Sequence, residues 1–194
     1  MPEADPTRIR ALVFDVDGVL TDGCVYISAS GEETKRFSIL DGPAFYWCRI
    51  MGYEVALLSG RESGATSRRA AELGIRSVYQ GVRDKARRVG AWAAEKGLSM
   101  DEILYMGDDH IDLPVFEVAG IAVAPANAAP EVRARATHVT RRRGGEGAVR
   151  EAVEWLLFRA GRLEEARGRY QSGLMEETGD DERSGSGEDG RTTG

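Results

Sequence analysis

The sequence is poor in the softer metal ligands: among 194 residues it holds two cysteines, Cys24 and Cys48, and two histidines, His110 and His138. The cysteines are too far apart for a close-spaced metal pair and read as reduced thiols of a cytoplasmic protein. Each histidine stands alone and reads as surface or core filler. No apolar run approaches the ~20 residues that a membrane-spanning helix needs. The start, Met-Pro-Glu-Ala-Asp-Pro, lacks the charged and apolar regions of a signal peptide. Positive charge is not in excess either. Of the net charge of −6, residues 175–194 carry −5, from seven acids and two arginines, which leaves −1 for the first 174 residues. A nearly neutral body gives no support to nucleic-acid binding. No internal repeat is visible.

What is present is enough hydrophobic sequence, 42%, for a sizeable core. The length suits one domain with an appendage, expected over 8–173. The remainder, 174–194, is rich in Gly, Ser, Glu and Asp and is expected to be a disordered acidic tail. Ala11 to Phe14 is a short, continuously apolar run, the mark of a strand buried on both faces of a parallel sheet. Val25–Ile27 and Arg36–Leu40 read as a hairpin joined across Ser30-Gly31-Glu32. Asp41 is placed to cap a helix reaching about Met51, with Pro43 in its first turn.

Beyond it, strands at Val55–Leu58, Ser77–Tyr79, Ile103–Met106, Ile121–Val123 and His138–Val139 alternate with helices. The last helix carries Val149, Val153, Leu156 and Leu157 on one stripe and ends at Gly161. The alternation predicts an α/β fold: a Rossmann-like parallel sheet with helices on both faces and a small β-hairpin insertion after the first strand.

Chemistry recurs just after the strands. Asp15, Asp17 and Gly18 follow the first; Ser59-Gly60-Arg61 follows Val55–Leu58; Lys85 opens the helix after Ser77–Tyr79; Asp108, Asp109 and Asp112 follow Ile103–Met106. In a parallel sheet these ends share one edge, where open α/β sheets carry their ligands. Neighbouring carboxylates repel unless a cation or proton intervenes. Acids, a hydroxyl and a lysine together suit a divalent cation holding a phosphoryl group, with Ser59, Gly60 and Lys85 as its phosphate contacts.

The run Asp15-Val-Asp17-Gly18-Val-Leu-Thr-Asp-Gly resembles the signature of the haloacid dehalogenase-like phosphatases, and Ser59, Lys85 and Gly107-Asp108-Asp109 match that superfamily's later motifs in order. Gly31-Glu32-Glu33 with Lys35 and Phe37, Asp41-Gly42, Ser59-Gly60-Arg61, Tyr79-Gln80-Gly81, Asp112-x-Pro114-Val115 and Gly144-Gly145-x-Gly147-Ala148-Val149-Arg150-Glu151 are similar to one branch, the 3-deoxy-D-manno-octulosonate 8-phosphate phosphatases. The resemblance implies a Mg2+-dependent phosphomonoester hydrolase acting on a phosphorylated keto sugar acid of lipopolysaccharide biosynthesis. Asp15 is then the nucleophile, forming an aspartyl phosphate, and Asp17 the general acid and base. Mg2+ falls to the Asp15 carboxylate, the Asp17 backbone carbonyl and Asp108, with Asp109 and Asp112 in support. Ser38, Asp41, Gly42, Arg61 and Arg69 become the residues expected to contact the sugar.

Only 41 residues separate Asp17 from Ser59 and 25 separate Ser59 from Lys85, so neither gap has room for a cap domain. The resemblance implies a homotetramer in which neighbouring subunits cover the site. The segment Gly161–Gly168 reads either as the family's reaching tail or as a charged helix end. Leu40 and Tyr46 stand where the family pattern commonly has arginines, which suit a sugar-acid carboxylate. The substrate therefore stays open between the octulosonate, a nonulosonate 9-phosphate and another sugar phosphate. Two further readings are a receiver-like phosphoacceptor and a non-catalytic oligomerisation module; the Asp-x-Asp spacing and the complete acid set speak against them.

Overall fold

The computed structural model describes residues 4–172, so the expected acidic tail lies outside the described residues. Six parallel strands form the main sheet: β1 (Ala11–Asp15), β4 (Glu54–Leu58), β5 (Ser77–Tyr79), β6 (Ile103–Met106), β7 (Ile121–Ala124) and β8 (His138–Val139). Their spatial order is β5-β4-β1-β6-β7-β8, so the winding reverses between β1 and β6. That reversal opens a crevice at the carboxyl ends of these two strands.

Every residue of β1 is buried, which is why Ala11 to Phe14 is continuously apolar instead of alternating. Leu12 and Phe14 face one core, together with Phe45 and Cys48 of α1 (Gly42–Ile50), Ala70 of α2 (Gly64–Glu72) and Val149, Val153 and Leu156 of α6 (Ala148–Arg159). Ala11 and Val13 face the other, with Val89 and Trp92 of α3 (Lys85–Glu95), Val115 and Phe116 of α4 (Leu113–Phe116) and Val132 of α5 (Pro130–Arg135). The period-two side-chain alternation of a strand thus feeds two separate cores. Phe45 and Trp47 belong to the first; Phe45 meets Phe14 edge-on at 5.5 Å.

The hairpin differs from its expected register. Its strands are β2 (Tyr26–Ile27) and β3 (Glu33–Thr34), and Arg36–Leu40 is not a strand: Phe37 alone bridges to Thr21. The turn is tighter than the sequence implied. Gly31, at φ 84°, donates to the Ser28 carbonyl at 2.9 Å, and Ser28 N–H bonds the Glu32 carbonyl at 3.0 Å, so pairing resumes at once, Ile27 opposite Glu33.

Asp41 is a second correction. It precedes α1, but its side chain makes no capping bond there. Its carboxylate instead accepts from the Arg150 backbone N–H at 3.0 Å, satisfying a free donor in the first turn of α6. After Gly161 ends α6, residues 163–172 form another helical segment that docks on its own chain. Tyr170 packs edge-on against Tyr46 at 5.3 Å, and Arg169 Nη1 donates to the Ile50 carbonyl at 2.8 Å.

Candidate active site

β1 delivers Asp15 to the crevice, and Gly18 turns the chain at φ 87°. A side chain there would be strained, and its Cβ would collide with the Asp108 carboxylate. The turn is pinned from several sides. Thr21 Oγ1 accepts from the N–H groups of Gly18 and Gly23 at 3.2 Å each. Asn127 Nδ2 donates to the Gly18 carbonyl at 3.0 Å, while its Oδ1 accepts from Gly144 N–H at 2.6 Å. A Cβ on Gly144 would run into the Gly18 and Thr21 carbonyls, so the Gly144-Gly145 pair exists to let one loop lie on the other.

Lys85, at the first position of α3, is buried between Asp15 Oδ1 at 2.9 Å and Asp112 Oδ1 at 2.6 Å. Asp112 is saturated. Its Oδ1 also accepts from the Tyr105 hydroxyl at 2.6 Å, and its Oδ2 takes the backbone N–H groups of Asp108 and Asp109 at 3.0 and 3.1 Å. Asp112 therefore shapes the loop after β6 and aims Asp108. Asp109, exposed, bonds the backbone and ring of His110.

On the other side of the crevice, Asp17 accepts from Ser59 Oγ at 3.1 Å and pairs with Lys35 Nζ at 2.7 Å. Ser59 Oγ in turn accepts from Arg61 N–H at 3.1 Å, and Arg61 Nη2 pairs with Glu33 Oε2 at 2.8 Å. Lys35 was not singled out as a site residue from the sequence, although it stands in the Gly31-Glu32-Glu33-x-Lys35 motif. Asn127 gave no signal at all.

The expected sugar contacts divide. Arg61 lies beside Ser59, and Gly60 faces Val82 and Ile111. Ser38 and Arg69 are joined to each other, Arg69 Nη2 donating to the Ser38 carbonyl at 3.3 Å. Asp41 faces α6, and Gly42 begins α1 beneath Leu73. These contacts do not tie Ser38, Asp41, Gly42 or Arg69 to the acids after β1 and β6.

Electrostatics call for a cation. Burial dominates at Asp15 and pushes its carboxyl up to about 7; the Lys85 ammonium opposes this and Asp112 adds to it. Asp108 is pushed up to about 8 by burial and then by Asp15 and Asp112. Burial alone would lower Lys85, but Asp15 and Asp112 outweigh it and raise it. Carboxyl oxygens of Asp15, Asp108 and Asp112 lie within 4.8 Å of one another. Asp15 Oδ1, buried, has no hydrogen-bond partner; Lys85 approaches it without hydrogen-bond geometry. With its four donors Asp112 has no oxygen to spare, so Asp15 and Asp108 are the side chains that fit a metal. Both side-chain oxygens of Asp17 are engaged, by Ser59 and Lys35, so its side chain is not free for a metal in the way that of Asp108 is. A hard divalent cation suits this all-oxygen set.

Residues 74–152 match the family model of haloacid dehalogenase-like hydrolases. The chain is 41% identical over 165 residues to the 3-deoxy-D-manno-octulosonate 8-phosphate phosphatase KdsC of Escherichia coli K12, covering 85% of this chain and 88% of that one. Among solved structures, it resembles the phosphatase of that name from Moraxella catarrhalis, in complex with magnesium, phosphate and KDO. The TM-score is 0.82 at 32% identity, over 86% of this chain and 95% of the other. The cobalt-bound Haemophilus influenzae phosphatase gives 0.78 at 35% identity, over 82% and 93%. With the strand order and crevice already described, this likeness places the chain among the haloacid dehalogenase-like hydrolases: it belongs to the capless phosphatase branch that holds the 3-deoxy-D-manno-octulosonate 8-phosphate phosphatases.

Proposed function

We propose that this phosphatase hydrolyses 3-deoxy-D-manno-octulosonate 8-phosphate with Mg2+, through a phosphoryl group carried on Asp15. The observation that carries this reading is the convergence of Asp15, Asp17, Ser59, Lys85 and Asp108 on the crevice between β1 and β6. An Asp15 oxygen attacks phosphorus as the bond to the sugar oxygen breaks, and Asp17 gives that oxygen a proton. Asp17 then takes a proton from the water that attacks the aspartyl phosphate, releasing inorganic phosphate and restoring Asp15. Ser59, with neighbouring N–H groups, and Lys85 hold the phosphoryl oxygens. Asp15, Asp108 and the Asp17 carbonyl would hold Mg2+, which would supply positive charge to offset the repulsion between anionic nucleophile and anionic substrate. The phosphatase unit spans 8–173 in this reading, and the free thiols of Cys24 and Cys48 suit a cytoplasmic setting.

A homotetramer accompanies this reading. With no cap domain, water must be excluded by a neighbour. Exposed apolar residues cluster in and after the hairpin: Tyr26, Ile27 at 70%, Ile39 at 83% and Leu40. Leu40 and Tyr46 favour one variation, a nonulosonate 9-phosphate or another sugar phosphate. Neither offers a guanidinium to the sugar carboxylate, and Tyr46 instead lies under Arg49, 4.7 Å from the ring centroid.

A turnover panel with Mg2+ tests the reading: octulosonate 8-phosphate, nonulosonate 9-phosphate, hexose 6-phosphates and nucleoside monophosphates. The expected outcome is the highest kcat/KM for the octulosonate. A preference for hexose phosphates or nucleotides would overturn the substrate class. Light scattering of the active protein reads the subunit number, and a fully active monomer would overturn covering by neighbours.

A further inference from the structure

We propose that Lys35 is a positioning residue for Asp17: it holds the acid/base carboxylate in the orientation that both proton transfers require. This rests on the role of Asp17 proposed above. The Lys35 side chain is withdrawn from water, although it carries a charge, and its ammonium lies 2.7 Å from Asp17 Oδ1, 3.5 Å from Thr66 Oγ1 and 3.9 Å from Glu33 Oε1. Burying an ammonium is strongly unfavourable unless it is paired. The arrangement therefore marks a fixed geometry in place of a solvated surface lysine.

The chemistry of Ser59 shows what that geometry is for. A hydroxyl has one proton to give. In the free protein Ser59 Oγ gives it to Asp17 Oδ2. When a phosphoryl oxygen takes that proton, Asp17 loses the contact, and among the described residues Lys35 is the partner that stays. Asp17 is 24% exposed and sits in the turn after β1, where an unheld carboxylate would rotate between rotamers. Proton transfer to the leaving oxygen needs hydrogen-bond reach, and so does the later transfer from water.

Lys35 is itself held. Glu33 faces it from β3, and Arg61 neutralises Glu33 from the loop after β4. Glu33 Oε1 is buried with no hydrogen-bond partner, so the nearby ammonium is its compensation. Asp17, Lys35, Glu33 and Arg61 form a neutral chain of alternating sign that ties the hairpin to the phosphate loop.

The test compares leaving groups. An alkyl phosphate needs its leaving oxygen protonated, whereas p-nitrophenyl phosphate releases a stable phenolate that needs little help. Because kcat/KM reports only steps through phosphoryl transfer, it isolates this difference from hydrolysis of the intermediate. Lys35→Met is expected to lower kcat/KM about 10²-fold on octulosonate 8-phosphate and by no more than about threefold on p-nitrophenyl phosphate. Lys35→Arg, which keeps the charge, should recover part of the loss on the sugar phosphate. Equal losses on both substrates would make Lys35 a mere structural prop and overturn the proposal. If Lys35→Met does not fold, Lys35→Gln is read by the same ratio. Asp17→Asn separates the two ideas: it should show the same selective loss. Selective loss in Asp17→Asn but not at Lys35 sinks only the positioning role, while no selectivity in Asp17→Asn sinks the acid role of Asp17 itself.

Discussion

Two buried lysines divide the crevice, and they are built differently. Lys85 opens α3 at the edge of the main sheet and bridges two carboxylates that are themselves buried, Asp15 and Asp112. Lys35 arrives on a two-stranded hairpin outside the sheet and pairs with Asp17, which is partly open to solvent. The first centre is part of the core: remove the cation and two acids are left facing one another with no water to screen them. The second is an attachment, where lost charge is compensated by solvent on one side and by Arg61 on Glu33. The difference separates a lysine on which the fold depends from one that adjusts a single side chain.

The largest expected effect breaks the first centre at its chemistry. Asp15→Asn is expected to lower turnover by about 10⁴-fold or more while the circular dichroism spectrum is kept; substantial activity would remove Asp15 as nucleophile. Lys85→Met should cost about 3–5 kcal/mol in urea unfolding, because it strands buried carboxylates. Lys35→Met should cost less than half as much in the same assay. Equal costs would erase the distinction drawn between the two centres.

Metal binding sharpens it further. Without a cation the folded protein keeps protons on Asp15 up to about 7 and on Asp108 up to about 8, whereas the unfolded chain releases them near 4. The folded state then binds more protons across that window, so metal-free stability falls as pH rises from about 4 to about 8. A cation displaces those protons, so its affinity rises with pH. The Mg2+-induced rise in Tm should be larger at pH 8 than at pH 6, and a shift independent of pH would contradict it. The smallest effect lies outside both centres. Asp41→Ala should lose about 1–2 kcal/mol in urea unfolding by uncapping α6, and no loss would mean that the Arg150 N–H finds another acceptor.

The same contrast governs what could be read from the chain. Asp15, Ser59 and Asp108 were legible because they stand at or just past the end of an apolar run, and Lys85 because it opens the helix after a strand; parallel strands carry these ends to one edge. Lys35 was not. β2 and β3 have two residues each, largely exposed, and give no hydrophobic alternation from which to fix a register. The tight turn at Gly31 moved the pairing three residues forward of the expected strand. Asp41 misled for another reason: an acid before a proline-bearing helix start looks like that helix's cap, but its partner is Arg150, 109 residues away.

By itself the sequence determined the strand–helix alternation, the edge at which the acids gather and the lack of room for a cap. Hydrophobic period and local turn chemistry act over a few residues and are written in order along the chain. Tertiary structure alone decided which acid meets which lysine. It gave Asp112 to Lys85, Tyr105 and two backbone N–H groups, and so left Asp15 and Asp108 as the side chains that fit a metal. It also brought Lys35 to Asp17. Ion pairs are short-ranged in space and indifferent to sequence separation, so only the packed sheet, hairpin and loops could choose among them.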